Sequence, residues 1–239
     1  YRGPKPDVYT RQNGYFKLRI LAGYEGGIPS GIYPRLLTSW VVTEAVRTGS
    51  PYIELGESLR DFFRNVLELR STGGGKRGSA SSVTEQMKRL FGALITAQYS
   101  GATGKRGFTL KNVLIADDLA LSDHDADRLD NLDAPEAVPG QQPAEDADDA
   151  LWLPQPKHMA GQWQSQVTLS QGFFDEVTSC PVPIDLRAYK SLRGSALAMD
   201  VYTWLTHRLS YLKSRSRPIP WESLMMQFGS NFQGADHGQ

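Results

Sequence analysis

Basic side chains gather in one stretch of the chain, where they could contact the phosphates of a nucleic acid. Between Arg70 and Lys111 the sequence has eight lysines or arginines and a single acidic residue, Glu85. Lysine and arginine neutralise phosphates, while serine hydroxyls and backbone N–H groups at a helix start donate hydrogen bonds to the same oxygens. The pattern predicts a nucleic-acid contact whose candidate residues are Lys76, Arg77, Ser81, Ser82, Lys88, Arg89, Lys105 and Arg106.

Two predicted helices between Ser58 and Ala97, joined by a Gly-rich connector, must position these side chains. Ser82 and Glu85 form a capping-box pattern, which predicts that the second helix starts near Ser82. Its cationic face would suit the major groove of DNA, although similar helix pairs occur in domains that bind no nucleic acid. Apolar residues recur at helical spacing in two stripes, Leu59, Phe62, Phe63, Val66 and Leu67 in the first helix and Val83, Met87, Leu90, Leu94 and Ile95 in the second.

The elements before this pair are predicted with ordinary turn and cap signals. Asn13-Gly14 predicts a hairpin turn within an N-terminal arm and hairpin, residues 1–33. Pro34 and Gly49 bound a helix, because proline suits the first turn and glycine the end. Residues 52–55 are predicted to form a short strand.

A second hairpin is predicted after the helix pair, with residues 97–99 and 108–115 as its strands. Helix, strand, helix, helix and hairpin is the order of a winged helix, so the hairpin would be the wing. Lys105 and Arg106 at its tip would then meet phosphates. The same tip could be an ordinary solvated turn, and the sequence leaves both interpretations open.

An acidic segment separates this part of the chain from the rest. Residues 117–149 contain twelve acidic residues and one basic residue, Arg128. Because the whole chain has a formal net charge of zero, the remainder carries a net charge of +11. Low hydrophobicity and like charge predict a disordered insert over residues 117–150. His124 within it lacks the ligand spacing of a calcium loop, which favours a solvated loop over a metal site.

The C-terminal part repeats the beginning of the winged-helix order. Ser195 is predicted to cap a long helix, Ile219–Trp221 to form a short strand and residues 222–228 a short helix. We therefore expect a second winged helix that is truncated at its recognition helix. Its candidate phosphate contacts are Arg187, Lys190 and Arg193.

Enzymatic motifs fail on their spacing. Gly73-Gly-Gly-Lys76 lacks both the preceding glycine and the following serine or threonine of a phosphate-binding loop. The histidines form no metal-binding pattern, and Cys180 has no histidine nearby, which favours an inert thiol. The sequence predicts no enzyme activity, no cofactor, no metal and no membrane span, and the lone cysteine fits a reducing intracellular setting.

Six further motifs lie at Pro34–Ala45, Ile53–Gly56, Gln86–Phe91, Val182–Arg187, Tyr202–Thr206 and Ile219–Gly229. Together they resemble the plasmid-encoded RepA family of replication initiators. The resemblance implies two winged-helix units that bind repeated double-stranded DNA sequences at a plasmid origin in the bacterial cytoplasm. It also implies recruitment of host replication proteins, a helicase or its loader, and dimers that become monomers at the origin. The acidic insert is longer than in the family pattern. The C-terminal recognition helix that the resemblance implies is missing from this sequence.

The sequence thus predicts a helix-rich α+β fold with tandem winged-helix units. The arm covers residues 1–33, the first unit 34–116, the insert 117–150 and the incomplete second unit 151–239. Two other functions remain open. One is a winged-helix repressor of transcription, which would use the same residues, and the other is a dimerisation module that offers the strand Tyr15–Leu21 as an exposed edge.

Overall fold

The computed structural model describes residues 6–56, 62–68, 79–101, 108–121, 165–214 and 218–228. It contains helices and two antiparallel sheets, with strands and helices grouped in separate runs, which confirms the predicted α+β class. In chain order the elements are β1 (Val8–Asn13), β2 (Phe16–Leu21), α1 (Ile32–Thr48), β3 (Tyr52–Glu54), a π-helical turn (Phe62–Val66), α2 (Ser79–Phe91), β4 (Leu94–Tyr99), β5 (Thr109–Leu114), β6 (Ala116–Ala120), β7 (Gln166–Leu169), α3 (Gln171–Ser179), α4 (Leu186–Ser191), α5 (Ala196–Tyr211) and α6 (Trp221–Phe228).

Both predicted hairpins are present, and they join into one antiparallel sheet in the order β1-β2-β4-β5. Gly14, with φ 57°, makes the turn between β1 and β2, a conformation that glycine adopts without steric cost. Phe16 lies opposite Tyr99, and Ile20 lies opposite Ile95. Because β2 is paired on both sides, the expectation that the strand Tyr15–Leu21 offers an exposed edge is wrong.

A second antiparallel sheet has the order β3-β7-β6. Ile53 of β3 lies opposite Val167, and Leu119 of β6 lies opposite the same residue from the other side. The central strand therefore comes from beyond the acidic segment, while β3 comes from before it and β6 contains the first residues of the segment, 117–120. The prediction that the whole insert 117–150 is disordered is therefore wrong at its start, because these residues pair with β7. The predicted division of the chain at residue 150 stays a prediction, but the two parts share this sheet.

The hydrophobic core contains side chains from both parts of the chain. Trp40 of α1 packs edge-on against Phe62, with ring centroids 4.6 Å apart. Fully burying a large apolar side chain such as Phe62 contributes about 1.5–3 kcal/mol. A core shared in this way stabilises the two parts of the chain together. The core residues on the helices and on β7 include Leu36, Leu37, Val41, Ala45, Val83, Met87, Val167, Leu169, Tyr189 and Met199.

The predicted helix pair is only partly correct. Phe62, Phe63 and Leu67 of the first stripe are buried, but residues 62–66 form a π-helical turn, while the stretch before them lies outside the described residues. In the second stripe, Leu94 and Ile95 belong to β4 and not to the helix. The chain leaves the helix at Gly92, whose backbone lies close to Gly23. A Cβ atom added to Gly23 would be 2.1 Å from the Gly92 carbonyl oxygen. The helix also begins at Ser79, three residues before the predicted start.

The predicted helix ends at Ser195 and Gly49 are confirmed, whereas the predicted strand at 219–221 is not. Ser195 caps α5 by accepting a hydrogen bond from the Ala198 N–H at 3.2 Å, and Gly49 ends α1 with φ 65°. The predicted strand Ile219–Trp221 is wrong. Pro218 and Pro220 lack N–H donors for a strand ladder, and Trp221 instead begins α6. Within the described residues no helix is both long and apolar enough to cross a membrane.

Candidate nucleic-acid interface

Helix α2 is amphipathic in the way the sequence predicts. Val83 and Met87 are fully buried in the core, and Leu90 is nearly so. Gln86 lies between these residues and the polar face, where its side-chain oxygen accepts the Ser30 N–H at 2.8 Å. The core therefore fixes the rotation of the helix about its axis, and this rotation decides which side chains reach the surface.

A shallow cleft of about 540 Å³ runs between the polar face of α2 and the start of α1. On the α1 side it is lined by Ser30, Gly31, Ile32 and Tyr33. Gly31 precedes the helix and gives it no side-chain cap. From α2 the cleft receives three of the predicted contact residues, Ser81, Ser82 and Arg89, together with Glu85 and Gln86.

Glu85 lies at the centre of the charges on this face. Its carboxylate oxygens are 3.7 Å from Lys88 Nζ and 3.6 Å from Arg89 Nη2. The Tyr24 hydroxyl donates to the same carboxylate at 3.4 Å. Ion pairs of this spacing and exposure along a helix are worth only about 0.3–0.5 kcal/mol, so a phosphate could replace them.

Lys88 and Arg89 differ in how accessible they are. The Lys88 side chain is 40% exposed, and its ammonium lies 5.8 Å from the centre of the Tyr24 ring. The Arg89 side chain is only 15% exposed. Its Nε is buried without a hydrogen-bond partner among the described residues, close to Gly26. Lys88 is therefore the cation on this helix that an incoming phosphate can reach first.

The second predicted group lies on α4 and the turn that follows it. Asp185 caps this helix by accepting the N–H groups of Arg187 at 2.9 Å and Ala188 at 3.3 Å. These backbone hydrogen bonds, first that of Arg187, hold the pKa of Asp185 below its usual value. The Arg187 side chain itself is 92% exposed, so it can contact a phosphate without breaking the core.

Lys190 and Arg193 are engaged with a single residue of the first part of the chain. Lys190 Nζ lies 2.8 Å from Glu68 Oε1, and Arg193 Nη1 donates to the Glu68 carbonyl oxygen at 2.8 Å. The hydrogen bond from Lys190 lowers the pKa of Glu68. In this structure both cations bind Glu68 and join α4 to the end of the π-helical turn.

The structure therefore places the predicted site residues in two groups. Ser81, Ser82, Lys88 and Arg89 share one face of α2, and Arg187, Lys190 and Arg193 follow one another on and after α4. The remaining four candidates lie outside the described residues. They are Lys76, Arg77, Lys105 and Arg106.

Sequence reasoning missed the two carboxylates that organise these cations. The role of Glu85 could have been predicted, because it is the single acid in the basic stretch. It lies three residues before Lys88 and four before Arg89, which is the spacing of ion pairs along a helix. The role of Glu68 could not, because its partners are more than one hundred residues away in the sequence.

Comparisons with known proteins bear on the identity of the chain. It matches the family described as "Plasmid encoded RepA protein" over residues 28–133 and 144–222, on both sides of the acidic segment. It is similar to the crystal structure of selenomethionine derivatives of domains 2 and 3 of RctB, with 13% sequence identity and a TM-score of 0.49, covering 95% of this chain and 77% of that one. No curated protein matches the chain. The family match confirms the resemblance that the six motifs predicted. The chain therefore belongs to the plasmid-encoded RepA family of replication initiators.

Proposed function

We propose that this protein initiates plasmid replication by binding repeated double-stranded DNA sequences at the plasmid origin. The observation that carries the proposal is the placement of α2. One side of this helix is held in the core by Val83 and Met87. The other side presents Ser81 and Ser82 to an open cleft, and the 40% exposed Lys88 side chain lies on the same face of the helix. A rigidly held helix with a polar, cationic outer face is what major-groove recognition requires.

The proposed contacts divide by role. Ser81 and Ser82 at the start of α2 and Lys88 further along would face the groove. The hairpin of β4 and β5 would act as a wing, with Lys105 and Arg106 as its phosphate contacts. Arg187 on α4 would hold a phosphate for the second unit, because its side chain is 92% exposed and its contact with Asp185 is a loose one of 3.8 Å.

The proposal is one of binding, without catalysis or a cofactor. Binding at repeated sites would mark the origin, and host helicase or its loader would then be recruited to it. Homodimers of the free protein in the bacterial cytoplasm would be the inactive form. We propose these partners because the chain belongs to the RepA family.

The experiment is a titration of a fluorescent duplex carrying the repeats of the plasmid's own origin, with a shuffled duplex for comparison. Lys88→Gln should weaken binding and reduce the slope of log K against log salt by about one unit, because one phosphate contact is lost. Arg89→Gln should change the slope less, because the Arg89 side chain is mostly buried. Equal affinity for both duplexes, or an unchanged slope in Lys88→Gln, would count against the proposed interface.

Arg47→Gln is the matched control for this experiment. It also removes one exposed positive charge, but Arg47 lies in the last turn of α1, whereas the cleft lies at the first turn. At 1.5 Å per residue the two ends of this helix are separated by roughly 20 Å. The control should keep the wild-type salt slope.

A repressor of transcription would use the same helix, so the arrangement of the bound DNA separates the two functions. Direct repeats beside an A·T-rich segment would favour initiation. Footprints restricted to an inverted repeat over a promoter would favour repression.

A further inference from the structure

Glu68 has an unusual backbone conformation. Its φ is 52°, and no other residue except glycine has a positive φ within the described part of the chain. This left-handed region is sterically unfavourable for a residue with a side chain, and it persists where the surroundings hold the residue in place. The preceding residue, Leu67, is buried in the core and therefore anchors the segment on one side.

Two cations hold Glu68 on the other side. Its carboxylate accepts from Lys190, and its carbonyl oxygen accepts from Arg193, at 2.8 Å in each case. An ammonium and a guanidinium thus converge on two oxygens of one residue. Ammonium and guanidinium groups bind phosphate oxygens as well as carboxylates, so both donors suit an anion from a DNA backbone.

The two partners differ in how exposed they are. The Lys190 side chain is 18% exposed, whereas the Glu68 side chain is 57% exposed. Glu68 is therefore the partner that can move into solvent at lower cost. An anion that takes the place of its carboxylate at the Lys190 ammonium has to displace it.

We propose that Lys190 and Arg193 form a phosphate-binding pair that Glu68 occupies in the free protein, so that a DNA backbone phosphate binds there by displacing Glu68. The inference rests on the proposed function, since it requires a DNA partner. The exchange replaces one anion by another and frees Glu68 from its unfavourable φ.

The test compares DNA binding by the full chain and by Glu68→Gln, which removes the competing charge and keeps the size of the side chain. Affinity for the origin duplex should rise about two- to fivefold, the scale of a partly exposed ion pair. The salt slope should stay close to that of the wild type, because the same phosphate is neutralised in both complexes.

Glu44→Gln is the control for the change in net charge. Glu44 is also paired with a cation, Arg47, at 2.6 Å, but this pair lies at the far end of α1. The control should raise the affinity much less than Glu68→Gln does. In a Lys190→Gln background, Glu68→Gln should no longer raise the affinity, because the cation that it releases is absent.

A measurement on the wild-type protein does not depend on the folding of a variant. Carbodiimide labelling of carboxylates, read by mass spectrometry, should modify Glu68 faster in the DNA complex than in the free protein. Labelling of Glu54, on β3, serves as the internal reference. Slower or unchanged labelling of Glu68 in the complex would overturn the inference, as would an equal affinity of Glu68→Gln and Glu44→Gln for the origin duplex.

The two proposals fail in different ways. If the wild-type protein binds the origin duplex and Glu68→Gln behaves like Glu44→Gln, the displacement is refuted and the proposed function stands. If neither protein binds the duplex at any salt concentration, both are refuted.

Discussion

Arg35 of α1 and Asp200 of α5 form an ion pair with two parallel contacts, Nε to Oδ1 at 2.6 Å and Nη2 to Oδ2 at 2.7 Å. The hydrogen bonds that Arg35 donates to Asp200 raise the pKa of Arg35 above its usual value. Arg35 also donates to the Gly31 carbonyl oxygen, next to the cleft on α2. The pair thus connects the start of α1 with a helix from the other side of the acidic segment.

Arg35→Lys should destabilise the protein by about 1–2 kcal/mol, because lysine cannot make two parallel hydrogen bonds to a carboxylate. The figure is modest because both side chains are about one third exposed, with 30% for Arg35 and 38% for Asp200. Urea unfolding followed by circular dichroism measures the difference. Arg47→Lys, at an exposed pair within one helix, is the control and should change the free energy of unfolding little. A loss in Arg35→Lys no larger than in the control would contradict the prediction.

Gly23→Ala should destabilise the protein by about 1–3 kcal/mol, the usual range for overpacking. The new Cβ would lie 2.1 Å from the Gly92 carbonyl oxygen, which is backbone and cannot move aside without disturbing the end of α2. Gly172→Ala is the matched control. Nothing lies within 4 Å of the Cβ position there, and the residue is in helix α3. The control should stabilise the protein by up to about 1 kcal/mol. Thermal unfolding of both variants gives the comparison, and equal melting temperatures would refute the steric argument.

Ser195→Ala should cost about 1 kcal/mol, because it removes the oxygen that accepts the Ala198 N–H at the start of α5. Ser210→Ala, near the other end of the same helix, removes a hydroxyl that only donates to the His207 carbonyl oxygen. Chemical denaturation should show a clear loss for the first variant and almost none for the second. Similar losses would mean that the cap contributes nothing specific.

Acid should weaken the contact between Glu68 and Lys190. The pKa of Glu68 is lowered in the folded protein from its ordinary value of 4.5, so the folded state favours the charged carboxylate. Its stabilising contribution is present above pH 4.5 and is lost as the pH falls through the lower, folded-state pKa. Glu68→Gln should therefore lose less stability than the wild type on acidification below about pH 4.5. Unfolding at a series of pH values tests this, and parallel curves for the two proteins would exclude a contribution from Glu68.

The sequence could predict what depends on neighbouring residues. The stripe of Val83 and Met87, the Asn13-Gly14 turn and the Ser195 cap all follow from spacings of a few residues, and all three are present. Local reasoning failed where a change of element falls inside one apolar pattern. Leu94 fits both a helical stripe and a strand, and the close approach of Gly23 to Gly92 decides between them.

Contacts between distant residues could not be predicted in this way. The pairing of β7 between β3 and β6 depends on which strands meet in space. The spacing of apolar residues along the sequence does not indicate which strands pair. The same holds for the ion pairs of Lys190 with Glu68 and of Arg35 with Asp200. As a result, the sequence identified the cations of the candidate site but not their acidic partners. These are Glu85, which contacts Lys88 and Arg89, and Glu68, which contacts Lys190 and Arg193.

The pairing of β6 with β7 gives the acidic segment a special place in the chain. Ala120 lies directly opposite Gln166, so the connection leaves and re-enters the sheet at neighbouring positions. In topological terms it is the loop of a hairpin, and the closure entropy of such a loop grows only by about 0.6 kcal/mol for each doubling of its length. Relatives could therefore carry linkers of very different lengths at this point while keeping the same two sheets and the same helix α2.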